Sequence, residues 1–284
     1  MKTFKLLFRK HILLPLFTLF FLSACANQFA YNTLPFWIDY YLSDYVDMTP
    51  TQQARFDRDL EAFHQWHRNV ELPKIQKVLN QLNVEMAKPL SYGKIGEYHE
   101  KVKALTLASL QGLTPTLVNL ISSLSDEQAD AWLKTLNSKI EERVEKAQKG
   151  TEQEQIERRQ DRLIDQAEEW VDNLNDRQRA QLLEMAGYQI EMRAVFYAIR
   201  DSLIDELASV LENRHAPDLD VRINNYLANL VAFRSLEYQN DMALYLARRY
   251  ELLQRLDRNL SQKQRTALRG KLQEYSDDIT AVMN

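Results

Sequence analysis

Beyond about residue 33, apolar residues recur three and four positions apart along nearly the whole chain, and strand-like alternation is almost absent. That periodicity predicts an all-α protein. Pro35, at a first-turn position, opens a short aromatic helix to about Val46. Pro50 opens the next, which runs to Leu72, is interrupted or kinked at Pro73 and resumes to about Ala87, ahead of Pro89. Ser91 caps a helix through about Leu110, Thr114-Pro115 starts a short one to Leu124, and Ser125 starts a long one to Lys149. Gly150-Thr151 marks a break, after which a polar helix continues to Leu174. Two long helices follow, Asp176 to about Arg214 and Asp218 to about Asn259, and Ser261 starts a last one to about Val282. The connection His215-Ala216-Pro217 is short enough to demand an antiparallel hairpin, with arms of about 60 Å if straight. The expected architecture is an elongated helical bundle with that long C-terminal hairpin.

The front of the chain departs from this pattern. Lys2, Lys5, Arg9 and Lys10, with no acidic residue among them, precede an apolar run from Ile12 to Leu22 and the small residues Ser23 and Ala24. This is the layout of a secretory signal. The run holds only 11 residues and includes Pro15, whereas a bilayer-spanning helix needs about 20.

Leu22-Ser23-Ala24-Cys25 resembles the lipobox of bacterial lipoproteins: an aliphatic residue, two small residues, then cysteine. Small side chains let an extended backbone enter a peptidase cleft, and the thiol is the soft nucleophile for diacylglyceryl transfer. The resemblance implies a signal peptide over 1–24 and a lipidated tether over 25–33 beginning at Cys25, ahead of the helical pattern, which is expected to form a single domain over 34–284. Cys25 is the one cysteine in the sequence, so its lipidation leaves neither a disulfide nor a reactive sulfur. The three acyl chains that such lipoproteins usually carry imply permanent attachment, since one chain holds a membrane only marginally. Ala26 in place of Asp implies, by resemblance to enterobacterial sorting, the inner leaflet of the outer membrane, with the domain facing the periplasm.

Composition narrows the partners. Without the four basic residues of the leader, 32 basic residues stand against 40 acidic ones, a formal charge of −8. An acidic chain repels polyanions, which argues against nucleic acid and anionic headgroups as global partners. Six Gly and seven Pro in 284 residues make turns few and elements long.

One local pattern recurs four times: Met48-Thr49-Pro50-Thr51-Gln52, Leu124-Ser125-Asp126-Glu127-Gln128, Leu174-Asn175-Asp176-Arg177-Gln178 and Leu260-Ser261-Gln262-Lys263-Gln264. Each has an apolar leader, a capping residue and Gln three positions after the cap. An aromatic residue or Leu follows eight positions after each leader, at Phe56, Trp132, Leu182 and Leu268. Thr, Ser or Asn at the N-cap accepts from a first-turn amide and the Gln reaches back to the cap amide, so each is a capping box. The pattern also resembles the Leu-Thr-x-x-Gln motif of small periplasmic helical chaperones. That resemblance implies binding of unfolded clients on an aliphatic concave surface, although spacings of 76, 50 and 86 residues give no fixed repeat length.

Phe29, Tyr31, Phe36, Trp37, Tyr40, Tyr41 and Tyr45 crowd into the 17 residues that follow the tether's start. They form either an interfacial aromatic belt or a staple of the leading segment onto the bundle. Trp37, Tyr40, Tyr41 and Tyr45 share a helical face, which favours the staple. Further on, Trp66-His67-Arg68 and Glu71-Leu72-Pro73 place Glu71 one turn from His67 and three residues from Arg68. A charge-assisted pair there would lock the proline kink, or hold an anionic ligand. Together with Tyr31-Asn32, Trp37 and Gln52, this stretch resembles a family of uncharacterised Gram-negative lipoproteins, mainly over residues 22 to 75.

Glu61-x-x-His64 and Glu212-x-x-His215 have the spacing with which di-iron bundles begin, but no further pair of Glu residues on apolar faces completes such a site. No Gly-rich phosphate loop, serine nucleophile elbow or Cys/His cluster occurs, so no cofactor, metal or catalytic residue is assigned. The sequence reads as a non-enzymatic protein attached to the membrane through its N-terminal lipid, binding or scaffolding envelope protein partners. A chaperone-like module and a metal-dependent bundle enzyme are the alternatives.

Overall fold

A computed structural model describes residues 29–284; the leader and the lipobox through Cys25 lie outside the described residues. Twelve α-helices and no strand occur among them. In chain order they are α1 (Leu34–Leu42), α2 (Pro50–Trp66), α3 (Leu72–Glu85), α4 (Tyr92–Gln111), α5 (Thr114–Ser122), α6 (Asp126–Ala147), α7 (Glu152–Val171), α8 (Asp176–Glu191), α9 (Arg193–Glu212), α10 (Leu219–Ala232), α11 (Gln239–Arg258) and α12 (Gln262–Met283). The all-α bundle follows the sequence periodicity, and the predicted caps Ser91, Ser125 and Ser261 each accept from the amide three residues on.

Two predicted continuities differ. Between α2 and α3 the chain does not break at Pro73; it runs through a π-helical turn, His67–Glu71. Pro73 has no N–H, and the amide of Leu72 reaches back five residues to the carbonyl of His67, so the widened turn absorbs the proline within one hydrogen-bonded helix. Each expected hairpin arm is divided, the first only by an irregularity at Met192 and the second by residues 233–238. There Phe233 ends α10 in the left-handed conformation, at φ 43°. α9 packs on α10, and α8 on α11.

The largest apolar core lies where α2, α5, α9 and α10 meet and is filled by Leu60, Leu120, Leu211 and Ile223. A second cluster joins α7, α8 and α12 around Ile164, Val171, Leu174 and Leu182. A third brings Tyr31, at the front of the described chain, against Leu72 of α3 and Ile279 and Val282 of α12. No single described helix is long and apolar enough to cross a bilayer.

Candidate functional site

The four capping boxes all form, and they come in pairs. Thr49, Ser125, Asn175 and Ser261 each accept from the backbone of the Gln three residues on, and that Gln accepts from the cap amide. Gln52 and Gln128 then exchange two amide hydrogen bonds, of 3.0 and 2.9 Å. Gln178 and Gln264 do the same at 2.9 Å each. The remaining amide hydrogen of each Gln goes to the carbonyl two residues before the partner's cap: Gln52 to Ser123, Gln128 to Asp47, Gln178 to Asn259 and Gln264 to Asn173. Every donor and acceptor of each amide is thereby satisfied, which is what makes burial of the Gln178–Gln264 pair affordable.

This geometry explains the residue type. A carboxylate in one of these positions could close its own box but would have no N–H to give its partner. A fifth box, Thr151 with Glu154, stands alone and uses Glu. The apolar leaders and the residues eight positions beyond them pack into two of the apolar clusters: Met48, Phe56, Leu124 and Trp132 into one, Leu174, Leu182, Leu260 and Leu268 into the other. All eight predicted capping residues therefore have structural work in joining α2 to α6 and α8 to α12.

The stretch from Trp66 to Glu71 disperses in three directions. Trp66 covers Gly112 at the end of α4, so closely that a Cβ there would lie 2.0 Å from the indole. Arg68 turns outward to Asn32 at 2.7 Å and lies over the Tyr31 ring. His67 and Glu71 point inward and are buried. The expected pairing of Glu71 with His67 or Arg68 is replaced by an ion pair with Lys74 at 2.6 Å, because the π turn changes the register on which that spacing was reckoned.

What meets His67 instead is Tyr31. The Tyr31 hydroxyl and His67 Nδ1 are 2.9 Å apart, and His64 Nε2 lies 3.0 Å from the Tyr31 carbonyl oxygen. Burial pushes His67 down to about 4, against the opposing pull of the Glu71 carboxylate. Burial also lowers His64, helped by the charge of Arg68, and raises the Tyr31 phenol. A phenol held protonated beside a neutral imidazole donates to Nδ1, while His64 donates its Nε2–H to the carbonyl. Tyr31 is thus gripped from both ends of the residue. His64, weighed as a metal ligand, serves this contact, and His215 sits in the turn before α10. No group of three or more His, Cys, Asp or Glu side chains converges as a metal site among the described residues.

The leading aromatic segment uses a different inner face from the expected one. Leu34, Ile38, Leu42 and Tyr45 pack inward, and Trp37 and Tyr41 are half-buried. Phe29, Phe36 and Tyr40 are 66%, 59% and 52% exposed. A nine-residue helix buries one stripe, and the aliphatic stripe fits the bundle. The residues 29–33, expected as tether, already form helical turns docked through Tyr31.

Fold and sites define an all-helical bundle assembled on paired helix caps, with its leading segment docked through a tyrosine between two buried histidines. The chain belongs to the family of unknown function DUF6279, which matches residues 44–239. The match takes in the Gln52–Gln128 clasp, the π turn and Gln178, and reaches far past the stretch that carried the sequence resemblance; Tyr31 and Gln264 lie outside it. No curated protein and no solved structure matches the chain.

Proposed function

We propose that the chain is a lipid-anchored protein of the bacterial envelope, held by acylated Cys25 in the inner leaflet of the outer membrane, whose helical body binds or scaffolds other envelope components without chemistry of its own. The observation that carries this reading is the docking of Tyr31. It is fixed in the bundle six residues after Cys25, and six residues reach at most about 22 Å when fully extended. A body so closely tied meets neighbours at the membrane surface rather than in the open periplasm. The inward engagement of His64, His67 and the four clasp glutamines supports a scaffold, since these groups serve contacts between helices.

The test is crosslinking in intact envelopes followed by purification of the full-length lipidated protein. Repeated recovery of the same envelope proteins is the expected result. Recovery of no reproducible envelope partner overturns the scaffold reading.

A further inference from the structure

We propose that Phe29, Phe36 and Tyr40 form a ridge that seats in the interfacial layer of the bilayer carrying the anchor, an inference that rests on the lipid-anchored reading above.

The three rings lie seven and four positions apart, which places them on one stripe of a helix. Backbone bonds from Thr33 to Phe29 and from Trp37 to Thr33 carry helical geometry across the turn at Thr33, so the stripe is continuous. Phe36 stacks on Tyr40 with ring centroids 6.3 Å apart, and Trp37 meets Phe36 edge-on at 5.3 Å. The rings support one another in an outward position.

Three features select a bilayer as the occupant. First, the ridge begins where the chain leaves its anchor: Phe29 follows Cys25 by four residues, a reach of at most about 14 Å. Second, the charges beside it are already engaged. Asp39, the one charged residue of α1, accepts from Gln53 at 2.7 Å, and Asp44 just beyond pairs with Lys139 at 2.7 Å. On entry into the headgroup layer Asp39 keeps its hydrogen bond from Gln53 and Asp44 its cationic partner Lys139, which lowers the cost of drying these carboxylates. Third, the composition is that of an interfacial belt. Tyr and Trp combine an apolar ring with a polar tip, and the Trp37 indole N–H already donates to Thr33 Oγ1 at 3.2 Å. With no basic residue in α1, the attraction is to the interface itself and not to anionic headgroups.

The test uses the full lipidated chain in phosphatidylethanolamine/phosphatidylglycerol vesicles, with a nitroxide attached to Phe36→Cys or Tyr40→Cys. Both positions are exposed, and acylation blocks the native thiol. The expected result is ready collision with membrane-dissolved oxygen and protection from a water-soluble nickel relaxant at both positions, unchanged at high salt. Free collision with the nickel complex at both positions overturns the ridge. Protection from both relaxants also overturns it, because a second copy or a protein partner then covers the rings. Mass analysis of the Cys25 peptide from the same sample separates the two readings. Acylated Cys25 with water-exposed labels refutes the ridge alone. Unmodified Cys25 overturns the anchor, and the ridge that rests on it falls with it.

Discussion

Gln178 and Gln264, 86 positions apart in the sequence, exchange reciprocal amide hydrogen bonds of 2.9 Å while each closes its own helix cap. The pair converts two local signals into one long-range contact. Each amide makes four hydrogen bonds, and Gln178 is fully buried.

Removing one partner strands the other. Gln178→Ala takes two of the four hydrogen bonds from the Gln264 amide and removes the partner of the Asn259 carbonyl and of the Asn175 amide, at a cost of about 2–4 kcal/mol. Gln52→Ala, at the half-exposed clasp where water replaces the lost bonds, costs about half as much. Urea unfolding midpoints of the two variants check this order, and equal losses would contradict it.

The same logic separates Gln from Glu. Gln178→Glu keeps the cap acceptor but brings a carboxylate against the Gln264 carbonyl oxygen, so it destabilises at least as much as Gln178→Ala at neutral pH. Glu154→Gln, in the unpaired and exposed box, lowers the melting temperature far less than Gln178→Glu does. Thermal melts of the two variants measure the contrast.

How much of this was legible can be read from the clasps. A capping box is written in four consecutive residues, and the four that end in Gln are legible in the sequence, whereas the fifth, Thr151 to Glu154, reads there only as a break at Gly150-Thr151. The pairing of the four is not legible, because no local spacing records which cap meets which. The one trace is the residue type itself, Gln in every paired box and Glu in the lone one. Other features left weaker traces. Phe233 ends α10 in a conformation that sequence reading expects of Gly or Asn, and neither Gly nor Pro marks residues 233–238. The contact of Tyr31 with His67 spans 36 positions and depends on a π turn that reads from sequence only as a proline break.

The Tyr31 contact makes stability depend on pH. His67 and His64 are held neutral by burial, so the unfolded chain binds more protons than the folded one below the ordinary histidine value of 6.5. Their contribution is complete above that value and is lost as pH falls toward about 4, the value for His67. Over that window His67 alone accounts for about 3 kcal/mol, at about 1.4 kcal/mol per pH unit. Unfolding free energies at intervals from pH 7.5 to 4.5 should fall with this sign, and His67→Gln should flatten the slope. An unchanged slope in His67→Gln would contradict the assignment.

Gly112 is a steric requirement and not a conformational one. Its φ of −60° suits any residue, but a Cβ would lie 2.0 to 2.8 Å from three ring atoms of Trp66. Gly112→Ala therefore costs about 1–3 kcal/mol by overpacking. Gly187→Ala, inside α8 with no side chain beyond its chain neighbours and no other helix within 4 Å of the added carbon, raises stability by about 0.5–1 kcal/mol. Denaturant titration of both variants gives opposite signs if the contacts are as described.

The claim on which the functional reading stands is acylation of Cys25, and the most direct measurement is the mass of the N-terminal peptide of the full-length protein purified from its own membranes. The account predicts a peptide that begins at Cys25 and carries the added mass of its acyl chains. A peptide in which Cys25 is unmodified, or is still preceded by the leader residues, contradicts it.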